Sequence, residues 1–430
     1  MVEATEDNPP AASWSLPKRF GFRFLGVYLA LYCPPFLLGF IPGGEFVAAA
    51  LSSVWRAIIP WIGQRVFGLE ITVFTNGSGD TTFDYLMHLT MAVFAAVAAV
   101  VWTLLERGHR SHPKLAPWVG TAVRFTLAFS MISYGCVKVL PSQFGLPRLD
   151  RLLQPFGDAS PMGLVWTFMG ASPAYTSFTG LAELVSGLLL TLRRTALLGA
   201  LIAIGVMSNV VMINYCYDVP VKLYSSHLLA MAVALALPHA RRLVDLFVRQ
   251  RPTEPVPFQR LFASPTWHRA ALVLRTALVL AVAGGSLWSA HQGRVLYGNL
   301  APKSPLYGVW NVTEFTLDGE ARPPLLTDTE RWRRLVFDRP ESISIHPMEG
   351  RRLVFKSALD PEKGSLELTK FDDEAWKASF SYHAISDGVM ELNGELDGKK
   401  VAAKLERLDP STFLLRSRGF HWINEMPFNR

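Results

Sequence analysis

The chain is short of charge and of cysteine, and each shortage excludes something. Only 18% of its 430 residues are charged, against about 25% in an ordinary soluble protein. Half are hydrophobic, so much of the chain is suited to a solvent other than water. Its three cysteines, Cys33, Cys136 and Cys216, form no CxxC spacing, which leaves no local code for a zinc site or a thioredoxin-like pair, and no metal is expected. No cysteine follows Cys216, so the C-terminal third must hold by its core alone. A basic stripe interleaved with aromatics is also missing. The net charge of +7 comes from residues that bracket apolar runs, so nucleic acid is not an expected partner.

What the chain has is apolar runs of about 20 residues, the length that spans a hydrocarbon core of about 30 Å. Such runs fall at 20–41, 82–105, 117–139, 174–192, 196–215, 220–237 and 270–289. The first could instead be a signal peptide, since Lys18 and Arg19 precede it and small residues follow near 48–50. Segment 44–66, with Trp and Arg around an apolar body and Pro60 inside it, reads as an interfacial helix.

Lys18, Arg19, Arg23, Arg107, Arg110, Lys114, Arg193, Arg194, Arg241, Arg242, Arg249, Arg251, Arg260 and Arg269 fall on one side of the expected membrane. Only Arg56, Arg65, Arg148 and Arg151 fall on the other. Because basic loops stay in the cytoplasm, the N-terminus is expected inside and the C-terminus outside the cytoplasmic (inner) membrane.

Beyond residue 300 the pattern changes to period two. Runs such as Ser342-Ile343-Ser344-Ile345 alternate, and Asp318-Gly319, Asp387-Gly388 and Asp397-Gly398 are hairpin signals. The expected fold class is an α-helical integral membrane bundle of about seven transmembrane helices, followed by an all-β up-and-down barrel-like domain of about nine or ten strands. The expected domains are a cytoplasmic tail at 1–19, a helical domain at 20–290 and a barrel at 304–430.

Ionisable residues inside spans need partners. Arg124 and Glu183 fall at similar depths from the cytoplasmic ends of their spans, so an intramembrane ion pair between them is expected. A polar cluster is expected at the outer ends of the spans: Cys136, Lys138, Gln143, Asn214, Cys216, Asp218, Lys222 and His227. Its mixture of amide, acid, amine and thiol can hydrogen-bond a polar headgroup such as a quinone's carbonyls. It can equally be a set of interfacial residues reaching to lipid headgroups. No nucleophile and base order is visible, so catalysis is left open. His88 and His227 share a depth, as a bis-histidine haem requires, but two histidines match in depth easily by chance and haem is not expected.

Two resemblances add to this reading. Arg124, the run Tyr134-Gly135-Cys136-Val137-Lys138, the run Gly180 to Leu190 and Arg193-Arg194 make residues 117–240 similar to the DoxX-like family of small four-helix membrane proteins. That implies association with redox work at the membrane, including a quinone-linked oxidoreductase partner. Gly308-Val309-Trp310 resembles the first strand of a lipocalin, where the indole closes the barrel base under an arginine of the last strand. Arg416 or Arg418 is expected in that role. On architecture alone, the alternative is a non-enzymatic envelope protein whose bundle anchors a barrel that binds a lipophilic ligand or a partner.

Overall fold

The computed structural model describes residues 14–41, 43–106, 111–254, 262 and 264–429; Arg107, Arg110 and Arg260 of the charge argument lie outside them. In chain order the helices are α1 (Leu16–Gly39), α2 (Gly44–Ile62), α3 (Thr82–Leu105), α4 (Ala116–Val139), α5 (Leu149–Leu153), α6 (Pro161–Ala171), α7 (Pro173–Thr191), α8 (Ala196–Cys216), α9 (Lys222–Ala236), α10 (Ala240–Phe247), α11 (Pro265–Leu296) and α12 (Leu414–Ser417). The strands are β1 (Gly308–Leu317), β2 (Glu320–Ala321), β3 (Trp332–Arg339), β4 (Ser342–Pro347), β5 (Leu353–Asp360), β6 (Ser365–Thr369), β7 (Lys377–Ser386), β8 (Val389–Leu396) and β9 (Lys399–Leu408). They form two compact units, Met1–Leu140 with Ala174–His291, and Pro141–Pro173 with Gln292–Arg430.

Among the described residues, seven helices are long and apolar enough to cross a membrane: α1, α2 with its continuation to Phe67, α3, α4, α8, α9 with its continuation to Phe247, and α11. This set includes α2, which the sequence reading places at the surface, and omits α7, which it counts as a span. The packing explains both. A Cβ on Gly135 of α4 would stand 2.6 Å from Leu184 N, one on Gly180 of α7 would meet Lys138 Cβ at 2.6 Å, and one on Gly187 would meet Ala128 O at 2.8 Å. Glycines thus let the backbones of α4 and α7 touch along most of their lengths, in opposite directions, as small residues do between membrane helices. Helix α7 reads as less apolar than a lipid-facing span because its inward face carries Thr176, Gly180, Glu183, Ser186 and Gly187, all buried.

Helix α2 behaves differently. Gly44 abuts Leu38 near the end of α1, where a Cβ would meet Leu38 O at 2.2 Å. Ile59, late in α2, packs with Leu86 and Phe83 at the start of α3. Tyr32 near the end of α1 is level with His88 near the start of α3, their rings 5.6 Å apart. Both regions of α2 therefore sit at one end of the α1–α3 pair, and the helix lies across that end.

The second unit is built on a meander, each strand antiparallel to the next, closed by pairing of β1 with β9. The sheet has nine strands, within the nine or ten expected; eight of them make the barrel, and β2 is a two-residue extension beside β1. Asp318 and Gly319 (φ 53° and 85°), and Asp397 and Gly398 (φ 51° and 79°), both take the left-handed backbone of a primed hairpin turn. Inward-facing Phe315, Trp332, Phe337, Phe355, Phe380 and their neighbours form one buried cluster, so side chains fill the interior. Residues 141–173, inserted between α4 and α7, belong to this unit. Leu149, fully buried on α5, packs with Val309 and Val336 of the outer barrel wall.

The barrel base corrects one expectation. Trp310 is buried and its Nε1 donates to Leu306 O at 2.9 Å. The residue opposite it on the last strand is Arg407. Arg416 and Arg418 lie beyond β9, where Arg416 Nη2 donates to Pro147 O and Arg418 bonds Asn424 and covers the Phe428 ring. Gly308 (φ 151°) makes room for Arg407, whose Nε would stand 3.0 Å from a Cβ there, and Arg407 Nη2 donates to Tyr307 O.

Candidate functional site

The helical unit gathers its polar and aromatic side chains into one belt. Tyr28, Tyr32 and Phe36 recur every fourth residue on α1, so they share one face. That face meets His88 of α3 and His227 and Tyr224 of α9. The Tyr32 and His227 rings stack at 4.5 Å between centroids and 10° between planes, Tyr28 stacks on His227 at 5.8 Å, and His88 meets His227 at 4.8 Å. Phe36 and then Tyr134 of α4 continue the belt through Tyr224, whose hydroxyl donates to Ser130 Oγ.

Backbone bonds fix the tautomer of each neutral histidine. His227 Nδ1 lies 2.7 Å from Leu223 O, and His88 Nδ1 lies 2.6 Å from Asp84 O. A carbonyl only accepts, so both Nδ1 atoms carry hydrogen and each neutral ring presents Nε2 as an acceptor. Tyr28 Oη donates to this acceptor on His227 at 2.5 Å. Tyr32 Oη is buried and has no hydrogen-bond partner, a condition native interiors rarely leave without a function or a missing guest. The two imidazoles are in contact with each other, leaving no layer for a porphyrin between them, so a bis-histidine haem does not fit.

Beyond Tyr134 stands the buried charge. Glu183 Oε1 accepts from Lys138 Nζ at 2.5 Å, with side chains 3% and 8% exposed, and Lys138 also lies against the Tyr134 ring. The expected Arg124–Glu183 pair is therefore not formed. Arg124 Nη1 donates instead to Leu190 O at 2.8 Å and Thr191 O at 3.1 Å. Those carbonyls lie seven and eight residues past Glu183 on α7, about 10–12 Å along the axis. Glu183 Oε2 remains without a partner.

The expected outer cluster divides into parts. Lys222 bridges Asp218 at 2.8 Å and Asp80 at 3.7 Å. Asp80, which the sequence did not suggest, also accepts the first two N–H groups of α9, from Lys222 and Leu223, where a carboxylate complements the helix dipole. Asn214 bonds Ser225. Gln143 lies in the other unit. Cys136 is a buried free thiol and Cys216 an exposed one. Only Lys138 and His227 of the eight join the belt. The sequence reading misses Tyr28, Tyr32 and Tyr224 and has Tyr134 only within the DoxX-like run; a visible signal, the four-residue spacing, exists only on α1.

No family model matches the chain, and no solved structure matches it significantly. The uncharacterized protein YwoB of Bacillus subtilis is 32% identical over 153 residues, covering 96% of the Bacillus protein and 35% of this chain. The likeness thus spans nearly the whole Bacillus protein and about a third of this chain. Through that part, the chain belongs to the family of the uncharacterized Bacillus protein YwoB.

Proposed function

We propose that this chain is a DoxX-like protein of the cytoplasmic membrane, accessory to a membrane oxidoreductase, and that the Tyr and His belt receives a quinone headgroup. The observation that carries this reading is the buried, unpartnered Tyr32 hydroxyl beside stacked rings and the Nε2 acceptor of His88. A quinone, when bound, supplies the ring that carries electrons to and from the partner enzyme. The chain's own residues orient and exchange protons: Tyr32 Oη donates to a carbonyl oxygen, His88 Nε2 accepts from a hydroxyl, and Tyr28 holds a proton against His227 Nε2. The Lys138–Glu183 pair stabilises charge beside them.

In this reading the N-terminus is cytoplasmic, α2 lies in the outer interface and the barrel unit is extracytoplasmic. The bias of basic residues supports it, and so does the antiparallel fit of α7 on α4. Purified full-length protein in detergent should carry extractable quinone, or bind added quinone with quenching of its tyrosine emission. Tyr32→Phe should weaken that binding about tenfold, the value of one charge-free donor left unmatched. Equal binding by Tyr32→Phe and His88→Ala overturns the reading.

The alternative, an envelope protein anchoring a barrel that binds a ligand or partner, gains from one feature. Because the barrel interior is filled, a ligand of that unit has to sit on its outer wall.

A further inference from the structure

The second unit holds a cavity of about 1120 Å³ outside the barrel, between the inserted segment 141–173, the stretch after α11 and strands β3 and β4. Its size suits a ligand at or above the usual range of small-molecule sites, about 300–1,000 Å³. Its lining is charged in one sense. Eight basic side chains, seven of them arginine, face three carboxylates, Asp150, Asp158 and Asp338. That is an excess of five positive charges.

The chain itself does little to neutralise this excess. Asp150 is already committed to Ser344, His346 and Arg352. Burial pushes the Asp338 carboxyl up, against the pull of Arg148 and Arg339. Among the described residues the side chains of Arg148 and Arg333, both exposed, make no hydrogen bond or ion pair, and Arg416 Nε is buried with no partner. Crowded like charges with free forks repel one another, and folding retains such an arrangement at a cost unless an anion occupies it.

We propose that this cavity binds a ligand carrying at least two phosphate groups, with the guanidinium forks of Arg148 and Arg333 and the unpartnered Nε of Arg416 as donors. Arginine forks match phosphate oxygens bidentately, and an excess of five charges exceeds what a single carboxylate neutralises. The same chemistry is presented by a phosphorylated lipid headgroup and by a water-soluble diphosphate.

The test uses the full chain in nanodiscs of zwitterionic lipid, with inorganic pyrophosphate titrated by calorimetry and lipid phosphorus counted in the protein as purified. The paired change Arg148→Gln with Arg333→Gln removes two exposed charges whose side chains make no hydrogen bond or ion pair among the described residues, and Lys370→Gln with Lys399→Gln makes the same charge change elsewhere. Pyrophosphate binding that falls at least tenfold in the first pair and stays within twofold in the second supports a soluble ligand. Tightly held phospholipid lost only from the first pair supports a lipid headgroup. Arg416→Gln repeats the comparison should the first pair melt early. Absence of both signals, or equal loss in the two pairs, overturns the proposal.

Discussion

Lys138 Nζ and Glu183 Oε1 stand 2.5 Å apart between α4 and α7, a buried ion pair in a place where the helix backbones themselves touch. Removing one partner orphans the other, at about 3–5 kcal/mol for a buried pair. Glu183→Ala and Lys138→Ala should each lower the melting temperature of the purified protein markedly. Lys138→Met combined with Glu183→Leu should recover most of the loss. Arg124→Met, which forfeits two carbonyl bonds and leaves Glu183 paired, should couple to neither. A double variant no better than the singles would show that the pair does more than hold two helices.

Close backbone approach predicts the next result. Gly135→Ala drives a methyl to 2.6 Å from Leu184 N and 2.8 Å from Gly180 O, backbone atoms that cannot swing aside. The helices must part, at about 1–3 kcal/mol for an overpacked site. Gly120→Ala on the same helix meets nothing within 4 Å and should be neutral or slightly stabilising, so the two melts measured side by side give the difference.

These two sites also show how far the sequence reads. The run of period-two strands and the Asp-Gly turns give the barrel, because alternation and positive φ are local properties. The spans are legible for the same reason. The partner of Glu183 was not, since depth counted from helix ends is blind to how two antiparallel helices slide. Arg124 ends about two turns lower, beside Leu190 and Thr191. The barrel arginine was misplaced likewise, because β9 ends at Leu408 and the residue facing Trp310 depends on register. Asp150 reaches strand β4 from helix α5, almost two hundred residues earlier, a pairing that only the fold brings about.

The barrel base yields a third prediction. Trp310→Ala should cost about 3–5 kcal/mol, as aromatic truncations in cores do. Gly308→Ala should be destabilising too, since its φ of 151° is strained for alanine and its Cβ would press on Arg407. Arg418→Ala should leave stability within about 0.5 kcal/mol, as surface changes do. Chemical denaturation of the full chain, followed by tryptophan emission, ranks the three.

A fourth concerns pH. Burial alone would raise the Asp150 carboxyl, but the hydrogen bond from His346, the charge of Arg352 and the Ser344 hydroxyl outweigh it and hold the group below the ordinary carboxylate range. A depressed carboxyl stabilises the fold fully above its unfolded value of about 3.9 and loses that contribution as pH falls through its lower folded value. The hold of residues 141–173 on the barrel should therefore be complete at pH 7 and loosen below about pH 4. Asp338, raised by burial, acts in the opposite sense, so the comparison to make is with Asp150→Asn. That variant should lose about 2 kcal/mol at pH 7, the worth of hydrogen bonds to a charged group, and show less further loss on acidification. Hydrogen exchange of residues 148–153 at pH 7 and pH 3.5 measures it.

The last prediction is that residues 304–430 fold when cut from the rest, yet fold incompletely dressed. The closing pairs between β1 and β9 lie entirely within them, as do the filled interior and every hairpin, and a chain of this length can bury one core. What they lack is the cover on the outer wall. Val309 and Val336 are 0% and 1% exposed in the whole chain, and part of that burial comes from Leu149 with Leu152 and Leu153. In the excised domain the valines meet water, and Ser344, His346 and Arg352 lose Asp150. The domain should thus show barrel-like circular dichroism but melt below the whole protein, and a synthetic peptide of residues 145–156 should raise its melting temperature. A peptide with Asp150→Asn and Leu149→Ala should not. An unfolded domain would mean that the inserted segment is part of the barrel's core; a folded one indifferent to the peptide would mean that the covered wall contributes nothing to its stability.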